Sequence, residues 1–344
     1  MKKKTADILQ VLSDYFMIYL PDVKGLSKNT ISSYQYAFQL LFEFLMESHN
    51  IAPEQVTFET LSGNMVTNYL NWLENSRKCS PKTRNQRRAA IVSFAKYSVK
   101  KSFTETMSFC SEVMDIPKKK IPKINEIKYF TKEEMQILLR LPDISRSIGQ
   151  RDLILMSVLY SSGARAQEIC DLKTSDIVFS NPMTVKLTGK GNKSRIVTIP
   201  DNCACLLKKY FDVRNFHTHT RNSDIRYVFS SQTHDKMSIS CVEEIVKKYV
   251  KQAKQRHSNL FCQSSYSPHS FRHSIAVHML ESGVPLPAIQ AFLGHAAIST
   301  TMIYVSVTPE LANKYLSNRD TPHMADNIDA PNKSIINSLP FLRH

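Results

Sequence analysis

Apolar residues Ile31, Tyr34, Phe38, Leu41 and Leu45 recur at intervals of three and four, the period that lays one apolar stripe along an α-helix. Ser27 or Asn29 stands ahead of this run as an N-terminal cap. The same period predicts helices over 66–73 and 81–99. After a break it resumes over 134–141, with Thr131 as the cap before Lys132-Glu133-Glu134, and over 151–161. Two short runs, 184–187 and 195–199, read as β-strands. The segment between them, Thr188-Gly189-Lys190-Gly191-Asn192-Lys193, is rich in residues that tolerate positive φ and predicts a hairpin turn. Tyr227-Val228-Phe229 reads as a third strand, and helical periods return near 241–255, 270–282, 285–293 and 299–305. The fold class is mainly α with a small β-sheet.

Residues 116–123 hold two prolines and four lysines with no helical period. Proline lacks an amide donor and biases its predecessor to extended backbone, so this stretch reads as a linker. The expected layout is a helical domain over 1–115, a basic linker over 116–128, a second domain over 129–320 and a flexible tail over 321–344. A chain of 344 residues is long enough for each domain to bury its own core.

Charge narrows the partners. The formal net charge is +15 and the pI about 9.4, with 19 basic against 12 acidic residues up to residue 128 and 26 against 18 beyond it. Two cationic domains fit a protein that grips a polyanion, and nucleic acid stands ahead of a membrane surface because no cationic amphipathic anchor is visible. The longest apolar run, 153–160, is far shorter than the roughly 20 residues a membrane span needs. Seven scattered cysteines without a C-x-x-C pair read as reduced thiols of a cytoplasmic protein.

The candidate chemistry lies in the second domain. His269 and Arg272, at i and i+3, share a helix face and can converge on one phosphate. Arg165 follows an apolar helix and precedes Glu168, which can orient its guanidinium. His295 and Tyr304 follow later. Two guanidiniums can hold the oxygens of a phosphodiester while a phenol attacks phosphorus, provided that a neighbour such as His269 takes the phenol's proton. A hairpin lysine, Lys190 or Lys193, can protonate the leaving oxygen. His273 and His278 read as ordinary structural histidines. Arg84, Arg87 and Arg88, on the helix predicted over 81–99, read as contacts to a DNA backbone.

In order and spacing, Gly163-Ala164-Arg165-Ala166-Gln167-Glu168, Gly189-Lys190-Gly191-Asn192-Lys193, His269-Ser270-Phe271-Arg272-His273, Leu293-Gly294-His295 and Tyr304 resemble the tyrosine site-specific recombinase and phage-type integrase family, related to the Xer recombinases. Leu26-Ser27-Lys28-Asn29-Thr30 and Tyr34 resemble the opening of that family's core-binding domain, which adds Lys28, Thr30 and Tyr34 to the DNA-contacting set; Lys193, on the hairpin, joins them. Ala164 stands where the family more often has leucine, and Ala166-Gln167 replaces a commoner pair; neither position is catalytic.

The resemblance implies a helical, SAM-like core-binding domain and a catalytic domain that close on double-stranded DNA as a C-shaped clamp. It implies six catalytic residues: Arg165, Lys190, His269, Arg272, His295 and Tyr304. Tyr304 would form a 3′-phosphotyrosyl bond without metal, ATP or other cofactor, in a homo-tetramer on two DNA sites or a hetero-tetramer with a related recombinase. Service to a mobile element is the expected setting. Chromosome-dimer resolution, a type IB topoisomerase-like activity and a non-catalytic DNA-binding relative are the alternatives.

Overall fold

The computed structural model describes residues 7–121, 127–214, 216 and 226–305, without the side chains of Glu105 and Lys190. The chain divides into two compact units, Met1–Ile124 and Asn125–His344.

The first unit is helical. α1 (Ile8–Asp14) starts where the Asp7 carboxylate accepts the amide of Leu9, and wider π-type turns over Tyr15–Val23 continue it. α2 (Lys28–His49) is capped by Ser27 and ends at Asn50 in a left-handed conformation. α3 (Gly63–Asn75) and α4 (Pro81–Lys101) each follow a serine cap, and Pro81 takes the first helical position, where its missing amide costs nothing. α5 (Phe103–Asp115) packs back on α4. Tyr15, Phe38, Leu41, Phe44, Tyr69, Ile91 and Phe94 form the core. The buried phenols are satisfied, Tyr15 by Ser93 and Tyr69 by the Ala37 carbonyl, both at 2.8 Å.

Two expected DNA contacts are corrected here. Arg84 and Arg88 are only 4% and 8% exposed. Arg88 donates to the carbonyls of Ile116 (2.6 Å) and Met114 (2.9 Å) at the end of α5, and Arg84 to that of Pro117 (3.4 Å) while pairing with Glu74. Asn85 exchanges hydrogen bonds with the backbone of Lys119. A helix end leaves carbonyls without intrahelical partners, and here guanidiniums supply the donors, so this face of α4 holds its own chain. The start of the expected linker is therefore tied down through residue 119. Arg87 is half-buried, bonded to Ser33 and lying over the Tyr36 ring, whereas Lys28 is exposed.

The second unit begins with packed chain rather than free linker: Ile127 and Tyr129 pack against its core, and the Phe130 amide donates to Ser274. α6 (Lys132–Arg140) opens on a reciprocal cap between Thr131 and Glu134. α7 (Ser147–Ser162) is buried on nearly every side, with Ile154, Leu155, Met156, Val158 and Leu159 all inside, which explains its continuous apolar run. After α8 (Ala166–Cys170) an antiparallel sheet runs in the order β1 (Ile177–Val178), β2 (Thr184–Thr188), β3 (Ser194–Thr198). The third strand is thus β1; Tyr227, where sequence placed it, makes a lone bridge to Lys173. α9 (Asp201–Val213) and α10 (Ile239–Arg256) flank α7 and α6, and α11 (Pro268–Glu281) crosses α7. α12 (Leu286–Leu293) and the single turn α13 (Ser299–Met302) complete the described part. The expected tail, 321–344, lies outside the described residues.

Candidate active site

α7 ends at Gly163, whose φ of +57° is left-handed, and a Cβ there would fall 2.9 Å from Leu293 and 3.0 Å from Phe292. Glycine is required both for the turn and for the close approach of α12. The chain then re-enters a helix at α8 with Arg165 in the capping position. Glu168, 3% exposed, accepts the Arg165 amide (2.9 Å) and the Arg165 Nη1 (2.8 Å). Sequence reasoning expected this orienting role.

A second guanidinium on Glu168 was not expected. Arg195 of β3 donates from Nη1 and Nη2 to the two carboxylate oxygens, each at 2.9 Å. Burial alone would raise the Glu168 pKa, but the hydrogen bonds from Arg195 and Arg165 outweigh it and hold the carboxyl below its usual value. The signal for Arg195 was present in strand alternation, since position 195 shares a face with the buried Val197 and Ile199, where an arginine needs a partner.

Arg272 on α11 is 3% exposed. Its Nη1 donates to the Gly163 carbonyl at 2.6 Å and its Nη2 to the Leu293 carbonyl at 2.7 Å, so one cation sits at the C-terminal ends of both α7 and α12. Burial, then the charges of Arg165 and Arg195, lower its pKa to about 10, which leaves it charged at neutral pH.

Gly294, at φ +67°, ends α12 and delivers His295. The His295 Nδ1 is engaged by Thr301 at 2.9 Å, and Thr301 is fully buried. That bond fixes the ring and leaves Nε2 as the nitrogen for a ligand. Burial and the nearby Arg272, Arg165 and Arg195 push the His295 pKa down to about 4.

Tyr304 is 1% exposed, and its ring stacks on that of His295 with centroids 6.5 Å apart. Its hydroxyl lies 3.0 Å from Nδ1 of His273. Burial raises the phenol's pKa, while Arg272 and Arg165 are close enough to pull against that rise. His273, read from sequence as structural, is therefore the histidine at the phenol. It occupies the position four after His269, on the same helix face, a spacing that could have singled it out. His269 keeps an exposed edge and lies one ring removed, 6.5 Å from His273. Loss of surrounding water, then Arg272 and Arg165, lower the His269 pKa as well. His278 matches its bland reading, buried against the Tyr160 hydroxyl at 2.8 Å.

The backbone of Lys190 sits in a tight turn over Lys190–Asn192 at the tip of the β2–β3 hairpin, and its side chain lies outside the described atoms. The hairpin abuts the site: a Cβ on Gly189 would fall 2.9 Å from Glu168 Oε1 and 3.7 Å from Arg165 Nη1. Lys193 is exposed. Arg165, Arg272, His269, His295 and Tyr304 are thus gathered into one cluster, joined by Arg195 and His273.

Residues 128–310 match the Phage integrase family, and residues 14–102 match the Phage integrase, N-terminal SAM-like domain. Tyrosine recombinase XerC of Chlamydia caviae is 29% identical over 322 residues, covering 90% of this chain and 97% of that protein. Among solved structures, XerH site-specific recombinase bound to palindromic difH substrate aligns with a TM-score of 0.65 at 19% identity, over 92% of this chain and 91% of that one. The Tn1549 transposon integrase in complex with transposon right end DNA aligns with a TM-score of 0.63 at 14% identity, over 88% and 99%. At those identities the two structures speak to fold alone. The chain belongs to the phage integrase family, the tyrosine recombinases, a class of DNA-cutting and DNA-joining enzymes.

Proposed function

We propose that this protein is a site-specific recombinase that cuts duplex DNA by forming a 3′-phosphotyrosyl bond through Tyr304. The observation that carries the reading is the phenol itself, hydrogen-bonded to His273 and within the fields of Arg165 and Arg272. The two guanidiniums take non-bridging oxygens of the scissile phosphate, and the Nε2 of His295 adds a hydrogen bond. The Tyr304 oxygen bonds to phosphorus as the bond to the 5′ oxygen breaks. His273 receives the phenolic proton and Lys190 supplies one to the departing alkoxide. One phosphoester replaces another, so a partner strand's 5′ hydroxyl can reverse the step and complete the exchange.

In its hydrogen-bonded position Tyr304 is shut away from solvent, which protects the nucleophile until a phosphate enters between the guanidiniums. The working assembly is a homo-tetramer on two DNA sites or a hetero-tetramer with a related recombinase, and the reaction serves a mobile element. Excised circular junctions that vanish when the gene carries Tyr304→Phe would identify that element.

Tyr304→Phe removes the attacking oxygen and leaves the ring. It should abolish the denaturant-resistant protein–DNA adduct while duplex binding stays within about twofold, since the phosphate-holding cations remain. An adduct that persists in this variant rules out Tyr304 as the nucleophile.

A further inference from the structure

Arg195 has no part in the chemistry above, yet more of the site converges on it than on Arg165. Besides both oxygens of Glu168, its Nε reaches the Phe292 carbonyl at 3.1 Å and its Nη2 the Gly163 carbonyl at 3.4 Å. One side chain thereby ties the hairpin strand to α8, to the end of α7 and to the last turn of α12, three residues before His295. One glycine makes room for it, since a Cβ on Gly294 would fall 3.0 Å from Arg195 Cδ, and another makes room for its partner, since a Cβ on Gly189 would fall 2.9 Å from Glu168 Oε1.

The charge balance gives this arrangement a purpose. The Arg195 side chain is 13% exposed and that of Arg165 is 39%, so Arg195 is the interior partner of Glu168 and Arg165 the one with a face open to substrate. With one carboxylate and one guanidinium alone, the ion pair would cancel the charge that has to face a phosphate. A second guanidinium on the same carboxylate leaves a net positive charge on the trio and fixes the direction of the exposed one.

We propose that Arg195 is a positioning residue for strand cleavage, which neutralises Glu168 from within so that Arg165 can offer its charge to the scissile phosphate. The proposal rests on the reading of Arg165 and Tyr304 given above. It concerns binding of the transition state through another residue, with no contact between Arg195 and DNA.

The test uses the full chain and duplexes that the wild-type protein selects from a random pool, made as nicked substrates on which the tyrosine adduct accumulates. The scissile position carries either a phosphate or a neutral methylphosphonate. Arg195→Gln should slow adduct formation on the phosphate roughly 10- to 100-fold, the range for removing one preorganised charged group, with duplex affinity nearly unchanged. On the methylphosphonate, which lacks the charge that Arg165 offsets, the defect should shrink to within about threefold. A merely structural role would slow both linkages alike, and that result overturns the proposal, as does a variant that cleaves the phosphate at the wild-type rate. Should the glutamine variant lose cooperative melting, Arg195→Lys carries the same comparison, because it keeps one charge without the two-pronged grip. Absence of any adduct with wild-type protein is a separate outcome that removes the strand-cutting reading and this proposal with it.

Discussion

His273 and Tyr304 make the most direct claim at the scale of single residues. A phenol whose pKa burial has raised is a poor nucleophile at neutral pH, so the group 3.0 Å from its oxygen decides its reactivity. The His273 pKa is pushed down to about 4, first by burial and then by His269 and Arg272, so the ring is neutral at pH 7 and can accept a proton, as a weaker base than an ordinary histidine until the charge of a bound phosphate offsets the neighbouring cations. His273→Phe should therefore slow adduct formation by roughly 100-fold at pH 7, a common scale for losing a general base. Without the base, reaction depends on the fraction of phenol already ionised, which grows tenfold per pH unit below the phenol's pKa. The variant's rate should climb about tenfold per unit between pH 7 and 9 while the wild-type rate stays flatter. Parallel pH profiles for the two proteins would return the proton to His269. Of the cluster, Arg165, Glu168, Arg272, His295 and Tyr304 were legible because motif spacing marks them. His273 and Arg195 carried only the weaker signals of helix spacing and strand alternation, since their roles depend on Tyr304 lying beside one and on Glu168 and the ends of α7 and α12 lying beside the other.

At the scale of elements, sequence periodicity located α2, α3 and α4, whose apolar stripes face one core. It missed α9, although Cys203, Ala204, Leu207, Tyr210 and Phe211 recur there at helical spacing, and it missed α5 and α1. α5 buries Phe109, Cys110 and Val113 but also exposes Phe103, Met107 and Met114, so no single stripe stands out. In α1 the polar residues that break the apolar stretch are its cap, Asp7, and the pair Gln10 and Asp14, bonded to each other. α4 shows the opposite failure, because its period was plain but the purpose of its arginines was not. Arg88→Ala strips donors from two carbonyls at the end of α5 and should destabilise the first unit by about 2–4 kcal/mol. For the variant protein that remains folded, the salt dependence of DNA binding should match wild type, because removing a cation that binds a DNA phosphate would flatten the slope by about one. A flattened slope with unchanged stability would restore Arg88 to the DNA.

For the whole molecule, both units are cationic and each closes around a core of its own, yet they differ in how they carry buried charge. The histidines with lowered pKa values, His269, His273, His278 and His295, all lie in the second unit. Burial lowers all four, and for His269, His273 and His295 the neighbouring positive charge adds to it, the cost of packing a phosphate-binding cluster, whereas His278 lies apart beside Tyr160 with Glu281 pulling the other way. A histidine whose folded pKa is depressed stabilises the fold fully above its unfolded value of about 6.5. As pH falls toward the folded value, about 4 for His273 and His295, the unfolded chain takes up protons that the native one refuses, and stability is lost. Glu168, whose pKa is also depressed, contributes above its ordinary value of 4.5, so its loss begins only below this window. Between pH 7 and 5 the second unit should lose on the order of 1 kcal/mol for each strongly shifted histidine, with partial exposure already discounted. The chain has one tryptophan, Trp72, within α3 of the first unit, so its fluorescence follows that unit while far-ultraviolet circular dichroism follows both. In urea at pH 5 the dichroism midpoint should move to lower denaturant than at pH 7 while the fluorescence midpoint holds nearly still. A short phosphodiester oligonucleotide, by neutralising the cluster, should reverse much of the acid shift. Midpoints that moved together and ignored the oligonucleotide would mean that the strain of like charges is not concentrated at the active site.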